Sequence, residues 1–255
     1  MKTYWTVAIV AVVLIGGFFL LKSNPSTNEN TGDNNQTSTT TGEGRVFFSI
    51  TDAAASMGNI SEVKMTVGSV EMYNQTKGWV SVSTAPKTYN LLELKSSGKN
   101  ALVASFRAAA GTYNQVRLRI DKVVVRTKNN TEENAALVSS SMTLNSSVRV
   151  NANEDSSVNI DVLADKSLYT TTKGGYVFAP NVKVESRSDA NVTTNSDSTV
   201  IIDGGTVESS GTYGMNLEGN MILNFRLDVN ASFDVTGNVL KVIMGTTTTT
   251  IDLKL

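Results

Sequence analysis

The chain of 255 residues has no cysteine, no histidine and only three prolines. The lack of cysteine excludes a disulfide framework, a thiolate nucleophile and Cys-ligated zinc or iron–sulfur centres. The lack of histidine removes the commonest general base and the commonest imidazole metal ligand. Charge of one sign is also missing: 22 basic against 23 acidic side chains leave a net charge of −1. That balance creates no long-range field for nucleic acid, and none is expected as a partner. Neither G-x-x-x-x-G-K-[ST] nor a strand-linked G-x-G-x-x-G occurs, so no phosphate-cradling loop is present.

What the chain has in plenty is small polar side chains. Ser, Thr, Asn and Gly make up 102 of the 255 residues. These residues disfavour helix interiors and suit turns and the solvent faces of strands. Disorder is the competing account, but 40% of the residues are apolar and most recur in alternating runs, a pattern that a disordered chain has no reason to keep.

Trp5 to Leu21 (WTVAIVAVVLIGGFFLL) is an apolar run between Lys2 and Lys22. As a helix it would span about 26 Å, just short of a hydrocarbon core of about 30 Å. Tyr4 and Trp5 suit the headgroup level. No small-x-small cleavage site follows Phe18-Phe19-Leu20-Leu21-Lys22, so the segment reads first as a retained signal anchor, with a cleaved signal peptide as the alternative. Residues 23–44 carry no large apolar side chain and read as a flexible Ser/Thr/Asn-rich linker reaching about 25 Å. Lys2 and the amino terminus favour a cytoplasmic N-terminus. The expected location is therefore the cell membrane, single-pass, with the C-terminal domain extracellular.

From Arg45 onward the dominant period is two. Val46, Phe48 and Ile50 share a face, as do Val116, Leu118 and Ile120, which alternate with Arg117 and Arg119. Val63, Met65 and Val67 lie on one parity and Val70 and Met72 on the other, which predicts a β-bulge at Gly68-Ser69. Trp79 to Val82 reads as a strand after a turn at Asn74–Gly78. Val148 and Val150, then Val158, Ile160 and Val162, read as a hairpin around Asn151–Ser156, and Val182 as a further inward position. Only Ala101–Ala110 looks helical.

The order of segments FFSITDAAAS, ISEVKMTVGSVEMY, GWVSV, TYNLLEL, ALVASFRAAAGTYNQVRLRI and VNIDVLADKSLYTTTKGGYVFAPNVKVES resembles the prokaryotic family called domain of unknown function 4382, over residues 45–188. The resemblance implies an exported surface protein, often a lipoprotein, with a β-sandwich fold. The lipoprotein cysteine is absent here, so anchoring would fall to the helix. The family has no established activity and lends no functional residues.

Within that stretch Gly111 is expected to supply a turn, Tyr113 to cover a sandwich end as corner tyrosines do, Leu91, Leu92 and Leu94 to plug the core, and Asp52 to cap a turn or helix. Residues 189–255 read as a C-terminal hairpin and meander unit, either a small domain or an extension of the first sheet. Its expected features are a connector at Asp189–Ser198, a hairpin turn at Asp203-Gly204-Gly205 and a long strand from Met221 to Val235, bent near Asn230. Thr246–Thr250 with Ile251, Leu253 and Leu255 would form the last strand.

The chemical candidates are few. S-x-x-K occurs at Ser61/Lys64 and Ser96/Lys99 without the companion motifs of that enzyme class. Asn151 to Asp155 is a loop of oxygen ligands that lacks the Gly and distal Glu of a known calcium loop, and a polar turn is the better account. Seven N-x-[ST] sequons, at Asn35, Asn59, Asn74, Asn129, Asn145, Asn191 and Asn230, are glycosylation acceptors if the host modifies exported proteins. No catalytic, cofactor-binding or metal-ligating residue is assigned, and no cofactor is implied.

The sequence thus predicts an all-β protein, an immunoglobulin-like or transthyretin-like sandwich with a C-terminal β-meander, preceded by one N-terminal transmembrane helix. Its divisions are 1–22, 23–44, 45–188 and 189–255. The expected role is a non-catalytic binding or adhesive module for an extracellular glycan or protein. The alternatives are a subunit of a surface assembly using strand exchange and, more remotely, a carbohydrate-active enzyme.

Overall fold

In the computed structural model the described residues are 42–53, 56–228 and 230–253. The anchor at 1–22, the linker up to residue 41, Asn35 and Leu255 lie outside them. Among the described residues no helix is long and apolar enough to cross a membrane. All of them fall in one compact unit, Thr39–Leu255.

The fold is all-β, in two large sheets and two small ones. The first large sheet is centred on β1 (Glu43–Thr51), which pairs antiparallel with β5 (Asn100–Ala109) and parallel with β10 (Asp155–Val162). Beyond β10 come β13 (Asn181–Ser188), β16 (Thr206–Met215) and β17 (Met221–Leu223). The second large sheet is built on β2 (Ile60–Asn74) and β6 (Gly111–Thr127). β2 is flanked by β3 (Gly78–Ser83) and β4 (Lys87–Asn90), and β6 by β7 (Glu132–Asn134) and β9 (Ser141–Val150). β8 (Ala136–Leu137), β11 (Leu168–Thr170) and β12 (Tyr176–Phe178) form a small sheet. β18 (Ser232–Thr236), β19 (Val239–Met244) and β20 (Thr247–Asp252) form a three-stranded meander.

Val46, Phe48, Ile50, Val158, Ile160 and Val182 from the first sheet and Val116, Leu118 and Ile120 from the second share one core, each 1% exposed or less. The alternation of each strand turns one row of side chains inward, and the two rows bury one another in a sandwich-like arrangement.

The bulge predicted at Gly68-Ser69 is present and has a counterpart. The pairs Thr66–Lys122, Val67–Ile120 and Ser69–Arg119 leave Gly68 and Asp121 without partners on the two strands. Both strands therefore change parity at the same level, so Val67, Val70, Ile120 and Val123 all stay inward. Tyr113, 1% exposed, donates its hydroxyl to the Ala109 carbonyl in a corner-like bond.

Several sequence expectations are corrected. Ala101–Ala110 is not a helix but most of β5: its alanines fit between β1 and β15 (Thr199–Asp203), and tertiary pairing overrides their helix propensity. Among the described residues the two helices are α1 (Leu91–Ser97), which buries Leu91, and the single turn α2 (Ala164–Ser167). Val148–Val162 is not a hairpin, because β9 pairs with β6 and β10 with β1, and Asn151–Glu154 carries the chain from one sheet to the other. The run Met221–Val235 is broken into β17 and β18 by a turn at Asn224, whose φ is +55°.

The Gly204-Gly205 hairpin is also absent. β15 pairs with β14 (Asn191–Thr194), and β13 pairs with β16, in almost continuous register. The four strands are one antiparallel ribbon bent at residues 189–190 and 204–205, where Asp189, Gly204 and Gly205 all have positive φ. The true hairpin turn is Asn195–Ser198, inside the expected connector. The ribbon leaves the sheet where Ala190 N–H bonds Asp155 O, beside Arg45. It rejoins where Thr199 and Val200 pair with Ala101 and Asn100, beside Ile50. It thus straps the outer face of the first sheet diagonally, and Phe47, Ser49 and Ser157 on that face are almost fully buried. Of the two readings of 189–255, the strands through β17 extend the first sheet, whereas β18–β20 form their own meander, joined to the rest of the fold by a parallel bridge between Phe233 and Thr171.

Candidate functional site

The solvent face of the second sheet carries a cluster of planar side chains. Cross-strand register places Tyr73 opposite Trp79, and Glu71 opposite Arg117. The Tyr73 and Trp79 rings lie 5.4 Å apart, tilted by 59°. The Arg117 guanidinium sits 3.9 Å from the Trp79 ring centroid, in cation–π contact. Its Nε and Nη2 reach Glu71 Oε2 at 2.8 and 2.7 Å. The Arg117 fork is thus fixed on one edge by a carboxylate and on one face by an indole. The turn that sets this register is tied by Asn74, whose Oδ1 accepts from the amides of Thr76 and Lys77 at 2.9 and 3.1 Å. Around the platform stand Ser81 of β3, Gln115 of β6 and Asn145 and Thr143 of β9, with Gln115 Nε2 donating to Asn145 Oδ1 at 2.9 Å.

A cleft of about 560 Å³ adjoins the platform, lined by Arg119, Ile120, Asp121, Lys122, Asn134, Ala135, Leu137 and Ser140. It exists because the neighbour of β6 changes along its length. β9 pairs with β6 up to Arg119, and β7 pairs from Val124 onward. Between them residues 135–140 swing away so that β8 can join β12. Only the bonds Ile120 N to Ser140 O (2.8 Å) and Ala135 N to Val123 O (2.9 Å) bridge the gap. Asp121, the bulge residue, bonds Arg119 Nη2 at 3.0 Å. Further along the face Glu62 pairs with Lys64 at 2.6 Å and with Arg126 at 3.3 Å. The Lys64 hydrogen bond and the Arg126 charge hold its carboxyl below the usual carboxylate range.

The sequence candidates are placed otherwise. Ser61 Oγ donates to the carbonyls of Arg126 and Thr127, and Ser96 Oγ to Glu93 O, while Lys64 and Lys99 pair with Glu62 and Asp197. Neither serine bonds its lysine. The loop Asn151–Asp155 is tied as a turn, with Asn153 N–H bonded to Glu43 O and Asn151 Nδ2 to Asp189 Oδ1. Among the described residues no group of three or more acidic side chains could hold a metal ion. Asp52 Oδ1 accepts from the Ala164 amide at the start of α2 (3.3 Å). Of the sequons, Asn59, Asn129, Asn145, Asn191 and Asn230 are exposed, and Asn74 is half-buried with its amide on Thr112 O.

Sequence reasoning noted the basic outer row of Arg117 and Arg119 but missed Tyr73, Trp79 and Glu71. The signal was available: a turn closing Asn74 onto Gly78 sets Tyr73 against Trp79, and a bulge at Gly68 puts Glu71 on the outer face.

No curated protein and no solved structure matches this chain. The model of the family described as a domain of unknown function (DUF4382) matches residues 43–180, from the first residue of β1 to the residue before β13. The chain belongs to that family.

Proposed function

We propose that this protein is a membrane-anchored, outward-facing module that binds an extracellular glycan or protein without catalysis, through the solvent face of the second sheet. The observation that carries the reading is the platform of Trp79, Arg117, Glu71 and Tyr73. Trp, Tyr and Arg dominate the binding energy of interfaces, and a guanidinium already fixed by carboxylate and indole loses little entropy when a ligand arrives. The apolar run Trp5–Leu21 and the polar linker behind it support the anchored, outward placement. The core shared by both large sheets and the Tyr113 corner support a sandwich of the immunoglobulin-like or transthyretin-like kind.

The test has two parts. Fractionation and protease shaving of intact cells should find the full-length chain in the membrane with its C-terminal portion accessible, and recovery in the soluble cytoplasmic fraction would refute the placement. The soluble portion, screened on glycan and protein arrays, should give hits that Trp79→Ala removes while its melting temperature stays near that of the parent. Hits indifferent to Trp79→Ala would move the binding face elsewhere.

A further inference from the structure

We infer that the ligand of this face is an acidic saccharide, with a sugar ring against the Trp79–Arg117 platform and its carboxylate in the adjoining cleft at Arg119 and Lys122. The inference rests on reading this face as a binding surface and names the ligand class. Arg117 and Arg119 are two residues apart on one strand and on the same face, so platform and cleft are separated by about 7 Å. Four strands, β3, β2, β6 and β9, give the platform a width of about 14 Å. An extended oligosaccharide would lie across both.

The chemistry of the face sorts the ligand classes. Around the aromatic platform the outward side chains are hydroxyls and amides: Ser81, Gln115, Thr143 and Asn145, with Asn134 and Ser140 at the cleft. Such a set matches a polyhydroxyl ligand, which offers donors and acceptors all round a ring and C–H groups on its faces.

The cleft carries the charge. Its rim has two cations, Arg119 and Lys122, and one carboxylate, Asp121, which already bonds Arg119. Lys122 has no ion-pair partner among the described residues. A carboxylate entering the cleft would meet the unpaired Lys122 ammonium and the remaining Arg119 donors, over a floor of Ala135 and Leu137. The volume of about 560 Å³ lies within the range of about 300–1,000 Å³ usual for ligand sites.

The experiment measures binding of the soluble portion to oligogalacturonate and to the same oligomer with its carboxylates methyl-esterified, which removes the charge and leaves the hydroxyls. The acid form should bind and the ester should bind about tenfold or more weakly, the loss of one charge-assisted contact. Lys122→Glu should abolish the preference, Lys122→Arg should keep it, and both should melt like the parent because Lys122 is exposed. Equal binding of acid and ester, with both lost in Trp79→Ala, would overturn the acidic-ligand inference and leave the binding face intact. Binding of neither oligomer overturns the inference. If the arrays then show Trp79-dependent protein hits, the face binds protein; if they show no Trp79-dependent hits, the proposed function falls with it.

Discussion

Asp121 holds its carboxylate against the α-carbon of Gly68, so closely that a β-carbon on Gly68 would stand 2.3 Å from Oδ1. The two residues are the unpaired members of facing bulges, and one fits only because the other has no side chain. Gly68→Ala must push Asp121 off its place and off Arg119. The expected cost is about 1 kcal/mol or less, because what must move is the end of an exposed side chain and what is lost is a surface ion pair. Thermal unfolding of the variant measures it, and a melting curve superimposable on the parent's would show that the carboxylate has room to move.

The strap makes a sharper demand on its own glycine. Gly205 has φ +70°, and a β-carbon there would lie 2.5 Å from the Ser188 carbonyl and 3.0 Å from the Ala190 α-carbon, both backbone atoms. Gly205→Val therefore combines a left-handed β-branched residue with a backbone collision. The bend between β15 and β16 should open. Hydrogen exchange should then accelerate at Thr199 and Leu102, whose amides tie the strap tip to β5 or close its turn. Protection unchanged at both amides would mean that the ribbon tolerates the bend without glycine.

Leu118 is fully buried between the two large sheets. Leu118→Asp would place an unpaired carboxylate there, at a cost of several kcal/mol against a typical whole-domain stability of about 5–15 kcal/mol. Circular dichroism at room temperature should show a largely unfolded variant. Parent-like melting would mean that the inward face of β6 has been misassigned.

Acid should weaken the strap tip. Asp197 accepts from the hydroxyl and the amide of Thr199 at 2.6 and 3.0 Å and pairs with Lys99 at 2.9 Å. The Thr199 hydroxyl bond is the largest cause, followed by the Lys99 bond, and together they hold the carboxyl well below the usual aspartate range. A carboxyl depressed in the folded state contributes stability that is complete above its unfolded value and drains away as the pH falls through the folded one. Melting temperatures taken below about pH 5 should therefore decline more steeply in the parent than in Asp197→Asn. Parallel declines would assign the acid sensitivity to other groups.

The parts of the fold legible in the sequence are those where one strand face is apolar and the other polar. Val116-Leu118-Ile120 and Val46-Phe48-Ile50 announce their inward rows, and even the Gly68 bulge shows as a change of parity. Ala101–Ala110 was illegible for the opposite reason: its small side chains carry no period, and only the neighbours β1 and β15 decide its conformation. Gly204-Gly205 shows the limit of turn chemistry, since two glycines with positive φ serve a bend in a ribbon as readily as a hairpin. The platform lay between these cases. Its register followed from a turn that the sequence did reveal, whereas the cleft depends on β8 leaving for β12, a long-range pairing with no local signature.

The parallel pairing of β1 with β10 has a consequence in time. Ser49 and Asn159, joined by a 2.9 Å hydrogen bond, are 110 residues apart. At a synthesis rate of about 5–20 residues per second, β1 exists for roughly 5 to 20 s before its parallel partner has been made. β5 arrives earlier and covers one edge, but the other edge keeps its row of free amides and carbonyls throughout that interval. A chain with such distant central contacts also belongs among the slow folders, on the scale of milliseconds to seconds. The half-built sheet is therefore the stage at which the nascent protein is most prone to wrong pairing. That interval ends only when residues 155–162 emerge.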